Sequence, residues 1–198
     1  MQDRWYGDHR DLIKWGTLLE LAARYHAKHI LQVLYYRKNT WAQIEVGGTN
    51  VDIASEVIQH FRDVNSIRSL GGSLPIEVLN EEFENRGNYL KAVTSAIQAR
   101  AACPGIVFLD PDTGLEPPSG KYGPTHVLNS ELRYIWASMS LGDILVFYQH
   151  ETNKNGDPWI QPKMDQFVKA LGIQPGCAKH AYAPLIARDV AFFFAEKE

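Results

Sequence analysis

The sequence is poor in several features that would assign a class at once. It has two cysteines in 198 residues, Cys103 and Cys177, far apart and without Cys-x-x-Cys spacing, so neither a disulfide framework nor a zinc site is indicated. Reduced thiols of a cytoplasmic protein fit that usage. No stretch reaches the roughly 18 uninterrupted apolar residues of a membrane span. The chain opens on Asp3, Arg4 and Asp8 instead of an apolar run, so the expectation is a soluble, intracellular protein. An excess of one charge is also missing: 20 Lys and Arg face 23 Asp and Glu, a net charge of −3. The bulk charge therefore announces no nucleic-acid or anionic-membrane partner, and any nucleic acid would have to be met by a local patch.

What is present is an ordinary globular composition, 45% hydrophobic and 22% charged. The length suits one substantial α/β domain over residues 1–198. Leu12, Trp15, Leu19, Ala22, Ala23 and His26 recur at helical spacing after Asp8 and Asp11, which predicts a helix from about residue 7 to 27. His29 to Tyr36 reads as a first strand, and Trp41 to Val46 as either a short strand or a loop before Gly47-Gly48. From Val51 onward, Ile53, Val57, Ile58, Phe61, Val64 and Ile67 trace one face of a helix stopped by Gly71-Gly72. Pro75 to Asn80 is a strand, Asn88 to Ala101 a crossover helix, and Asn129 to Met139 and Pro162 to Leu171 further helices. Asp143 to Tyr148 is a clear strand. Ala178–Ile186 and Asp189–Phe194 read as an antiparallel hairpin joined tightly at Ala187-Arg188.

The stretch that organises the rest is Gly105-Ile106-Val107-Phe108-Leu109-Asp110-Pro111-Asp112-Thr113-Gly114. A short apolar run bounded by turn residues is the pattern of a buried central strand in a parallel sheet. Ligands of open α/β sheets bind outside the carboxyl ends of the strands, so Asp110, Pro111 and Asp112 stand where chemistry is expected. Asp-Pro-Asp-Thr-Gly is also good turn chemistry in its own right. Tyr148, Gln149 and His150 end a neighbouring strand and should border the same crevice as candidate substrate contacts. The Pro- and Gly-rich segment 117–124 is a candidate lid.

Strands alternating with helices and closed by a reversed strand predict a three-layer, Rossmann-like, mostly parallel sheet with a C-terminal antiparallel hairpin. That layout resembles the S-adenosylmethionine-dependent methyltransferase superfamily, and two motifs sharpen the resemblance. Gly7-Asp8-His9-Arg10-Asp11-Leu12-Ile13-Lys14-Trp15 is similar to the Gly-Asn-His-Ala-Asp-Val-Leu-Lys-His signature of ribosomal-RNA adenine N6-methyltransferases. Phe108-Leu109-Asp110-Pro111 resembles their Asp-Pro-Pro-Tyr motif and the Asp-Pro loop of three-Cys-motif partner proteins. The resemblance implies that Asp110 and the Pro111 carbonyl accept hydrogen bonds from a target amine, possible in a nucleobase. It also implies that Gly7, His9, Asp11 and Lys14 lie beside S-adenosylmethionine, and that Asn80 and Glu81 face its adenine. Methyl transfer to nitrogen needs in-line positioning more than a strong base, so an acceptor at a strand end suffices. The chain departs from the pattern at two points. No glycine follows the first strand in Val33-Leu34-Tyr35-Tyr36-Arg37-Lys38, and no aromatic residue follows Asp110-Pro111.

Two other functions are open on the same residues. Asp110, Asp112, His150 and Glu151 are oxygen and imidazole donors suited to Mg²⁺ or Mn²⁺ in a phosphoesterase or nuclease. A non-catalytic partner protein is the third, with Trp5, Tyr6, Trp41 and Trp159 as interface anchors.

Overall fold

A computed structural model describes all residues except 1–6, 38–42, 58–63, 101–102, 152–155 and 157. Helix α1 (His9–Arg24) begins where Asp8 accepts a hydrogen bond from the Arg10 amide and ends at Tyr25. Strand β1 (Ile30–Val33) follows, completely buried. Next come β2 (Gln43–Val46) and β3 (Thr49–Asp52), a 3-10 helix (Val64–Gly71) and β4 (Ile76–Leu79). Helix α2 (Arg86–Gln98) leads to β5 (Ile106–Leu109), and the two-residue strands β6 (Gly114–Leu115) and β7 (His126–Val127) precede α3 (Asn129–Ser138). The chain finishes with β8 (Ile144–His150), α4 (Ile160–Leu171), β9 (Ala178–Ala181) and β10 (Val190–Glu196).

The main sheet has the order β4-β1-β5-β8-β10-β9. Strands β4, β1, β5 and β8 are parallel, whereas β10 runs antiparallel to both β8 and β9. The mostly parallel Rossmann-like sheet with reversed C-terminal strands is thus as the sequence pattern predicts. The reversed strand lies between β8 and β9 instead of at the edge. Alternation along each strand sorts side chains to two faces. On one face Val33, Leu109, Phe147 and Phe193 pack under Val93 of α2, Ile135 of α3 and Phe167 of α4. On the other, Ile30, Phe108, Val146 and Phe192 pack under Ile13, Leu18 and Leu21 of α1. Covering both faces is what lets four consecutive apolar residues stand in β5 without exposure.

Three expectations change. The helix expected from Val51 starts later: Val51 and Asp52 belong to β3, residues 55–57 are helical, and the β2–β3 hairpin turns at Gly47-Gly48 with φ of +59° and +80°. Two successive positive-φ residues make a type I′ turn, whose twist matches the flanking strands, so the hairpin carries the chain through the first two positions of the expected helix. Of the expected helical face, Val64 and Ile67 are buried in the 3-10 helix, while Ile58 and Phe61 lie outside the described residues. The C-terminal hairpin is antiparallel as expected, but β9 stops at Ala181 and the connection covers residues 182–189, with a turn at 184–186. The 117–124 segment is not a lid over Asp110. The Arg86 guanidinium donates to the Gly123 and His126 carbonyls and pairs with Glu131, which ties that segment to the α2–α3 side.

Candidate active site

The two motifs that stand about a hundred positions apart in sequence meet at the carboxyl ends of β5 and β8. α1 crosses the sheet there, and the (i, i+3) relation of Asp11 and Lys14 aims both down onto the strand ends. Lys14 Nζ lies 2.9 Å from Asp110 Oδ2 and 2.8 Å from Asp11 Oδ1. Gln32, from the middle of β1, donates to the same Asp110 oxygen at 2.9 Å. The Tyr148 ring sits 5.6 Å from the Lys14 ammonium, within cation–π range. Lys14, Asp110 and Tyr148 are 5%, 2% and 6% exposed, so the charges are held by one another and not by bulk water.

Beside this group lies a cavity of about 200 Å³ lined by Asp8, Arg10, Asp11, Lys14, Asp110, Pro111, Asp112, Tyr148 and His150. Its rim is also paired. Arg10 binds Asp8 at 3.0 Å and reaches Asp189, whose Oδ2 is 3.1 Å from His150 Nε2. Asp112 pairs with Arg37. Burial works against the Lys14 ammonium, but Asp110 and Asp11 outweigh it and hold the pKa above the ordinary lysine value. Burial raises the Tyr148 phenol. For Asp189, burial is outweighed by the Arg10 hydrogen bond, which keeps the carboxyl below its usual range.

Of the residues expected from the sequence, Asp11, Lys14, Asp110, Pro111, Asp112, Tyr148 and His150 line one cavity. The others fall elsewhere. Gly7 is exposed and contributes only its amide, which donates to Asp11 at 2.6 Å, and His9 is exposed on the solvent side of α1. Asn80 and Glu81 are exposed at the end of β4, two strands from β5; Asn80 donates to Asn65. Asn80 therefore does not border the Asp110 cavity, because the sheet order puts β1 between β4 and β5. Gln149 is also corrected. It alternates to the opposite face from Tyr148 and His150, is fully buried, and accepts from the Leu115 amide at 2.9 Å while donating to the Thr113 and His150 carbonyls. It fastens β6 to β8; a Cβ on Gly114 would stand 2.4 Å from it.

Sequence reading did not find Arg10, Gln32, Arg37 or Asp189 as parts of this site. Gln32 alone carried a signal, a polar residue inside the apolar run Ile30-Leu31-Gln32-Val33-Leu34. The divalent-ion reading finds no support: among the described residues, no three His, Cys, Asp or Glu side chains are grouped to hold a metal ion. The Lys14 ammonium occupies the place between Asp110 and Asp11 that a cation would need.

The same test applies to S-adenosylmethionine at the end of β1, where the methyltransferase pattern puts a glycine turn. Here Tyr35 takes the left-handed φ of +47°, which favours glycine. Its amide is used by the Tyr89 hydroxyl, which accepts it at 2.9 Å, and its ring packs 5.4 Å from Phe83 and 5.1 Å from Tyr89. Aromatic rings thus pack around Tyr35, where the pattern has a glycine turn. The Asp110 cavity, about 200 Å³, is below the ~300–1,000 Å³ of ordinary ligand pockets. The Asp110 cavity alone therefore does not hold the whole cofactor.

The fold and this site define a Rossmann-like α/β sandwich with an acidic strand-end cavity closed by an N-terminal helix. No protein-family model and no curated protein matches the chain. Among solved structures, a protein of Thermobifida fusca described as a candidate methyltransferase is similar over 96% of this chain and 80% of its own, at 10% identity and a TM-score of 0.46. PigF with SAH is similar over 99% of this chain, which spans 61% of that one, at 13% identity and a TM-score of 0.38.

Proposed function

We propose that this chain is a relative of the S-adenosylmethionine-dependent N-methyltransferases that binds an amino group, as on a nucleobase, at the Asp110 cavity. The observation that carries the reading is the 2.9 Å contact between Lys14 and Asp110, which joins the two methyltransferase-like motifs into one site. In this role the Asp110 carboxylate and the Pro111 carbonyl accept the amine N–H groups. Lys14 and Gln32 fix the carboxylate, and Tyr148 and His150 form the wall. With Lys14 and Gln32 both on its Oδ2, Asp110 acts as an acceptor and orienting group. In this reading Asp110 and the Pro111 carbonyl form the acceptor half of a methyl-transfer site.

Calorimetry with adenine and with purine, the same ring system without the amine, tests this. Adenine should bind at least about tenfold tighter, because its amine makes hydrogen bonds to Asp110 and the Pro111 carbonyl that purine cannot make. S-adenosylmethionine, which contains adenine, should bind no tighter than adenine itself. Equal affinity for adenine and purine would overturn the reading. Saturable S-adenosylmethionine binding well above that of adenine would instead show a working donor site.

A further inference from the structure

His150 lines not one cavity but two. On its far side is a wider groove of about 990 Å³, walled by Trp159, Tyr182, His180, Arg188 and the first turn of α4, with Glu151 at its edge. The contents of the two cavities differ in kind. Around Asp110 the cations are paired with carboxylates. In the groove, among the described residues, neither the Arg188 guanidinium, the His180 ring nor the Trp159 indole N–H has a hydrogen bond or ion pair. Trp159 and Tyr182 meet edge to face at 6.5 Å, and the Tyr182 hydroxyl is anchored to the Arg188 carbonyl at 2.9 Å. The aromatic wall is thus held in place while the guanidinium beside it is left unengaged.

The third component is α4. Its N-cap position is Trp159, which makes no side-chain cap, and Ile160 and Gln161 of the first turn border the groove. Uncapped amides at the positive end of a helix favour an anion, most of all next to an arginine. An aromatic wall offers a surface for a planar ring, typically ~1–3 kcal/mol per stacked base. Ring and anion are offered within one groove, so one molecule carrying both satisfies it better than either alone.

We propose that this groove is a binding subsite for a nucleotide, with the ring against Trp159 and Tyr182 and the phosphate between Arg188 and the start of α4. It does not depend on the amine reading of the Asp110 cavity, although His150 lines both spaces. Uridine 5′-monophosphate is the probe, because its base carries no exocyclic amine and so leaves that reading untested. Calorimetry compares it with uridine and with inorganic phosphate on the full chain. Uridine monophosphate should bind more tightly than either, and added salt should weaken it and not uridine. Arg188→Ala, at an exposed position, should weaken uridine monophosphate about tenfold and leave uridine unchanged, whereas Trp159→Ala should weaken both. Trp159→Phe should recover most of the loss, which separates lost stacking from a damaged α4. The proposal is overturned if uridine monophosphate shows no saturable binding, or if Arg188→Ala and Trp159→Ala bind it like the parent protein.

Discussion

Two buried ion pairs of nearly equal burial stand at opposite ends of the sheet. Lys14–Asp110, with side chains 6% and 3% exposed, lies at the carboxyl ends of the strands; Arg100–Asp143, 5% and 3% exposed, lies at the amino ends. The difference is in what surrounds them. Asp143 also accepts from the Gly105 and Ser140 amides at 3.0 Å each, and Arg100 reaches the Ile97 carbonyl and His29 Nε2. Among the described residues, that end is closed by backbone donors and acceptors. Lys14–Asp110 has a cavity beside it and side chains from four separate elements around it. A buried charge pair therefore does not mark a functional site by itself; an adjoining space with polar walls does.

Breaking the closed pair should cost most. Asp143→Ala leaves Arg100 uncompensated and frees two amides, so a loss of about 3–5 kcal/mol in urea unfolding is expected, with adenine affinity unchanged in whatever fraction stays folded. Lys14→Met should destabilise by about 3 kcal/mol, since Gln32 still serves Asp110, and should also abolish the preference for adenine over purine. If Lys14→Met alters stability alone, the two pairs are equivalent and the site reading fails. At the β1 end, Tyr89→Phe removes the acceptor of the Tyr35 amide and should cost about 1–3 kcal/mol without affecting ligand titrations.

A pH series separates the two ends more gently. Burial, and then the nearby Arg100 charge, lower the His29 pKa in the folded state. Between that value and the unfolded value of about 6.5, the unfolded chain binds the extra proton, so stability from this group is complete above about pH 6.5 and falls on acidification. The melting temperature should drop from pH 7.5 to pH 5.5, and His29→Gln should flatten that part of the curve. The smallest effect belongs to the exposed Arg24–Glu20 pair on α1, where Glu20→Ala should change stability by no more than about 0.5 kcal/mol.

The most legible part of the molecule was its buried centre. The run Ile106 to Leu109 announced a strand covered on both faces, and Asp110 at its end announced the cavity. The N-terminal helix, β8, α3 and α4 were readable from periodicity and caps. Less legible were positions where a local turn competes with a longer pattern, as at Gly47-Gly48, whose I′ turn drew Val51 and Asp52 out of the expected helix and into a hairpin. Tyr148, Gln149 and His150 show a different gap. Their strand was evident, but alternation sends Gln149 away from its neighbours, and which face carried the site depended on which face α1 covered.

The sequence by itself determined that this is a mostly parallel α/β sheet with carboxylates at a central strand end, because burial and turn chemistry are written in short runs of residues. Only the tertiary structure decided that Lys14 neutralises Asp110, that Gln32 and Asp189 join the site, and that Asn80 does not. Those facts depend on which strands become neighbours and where one helix crosses them, and that order is set by packing of the whole chain.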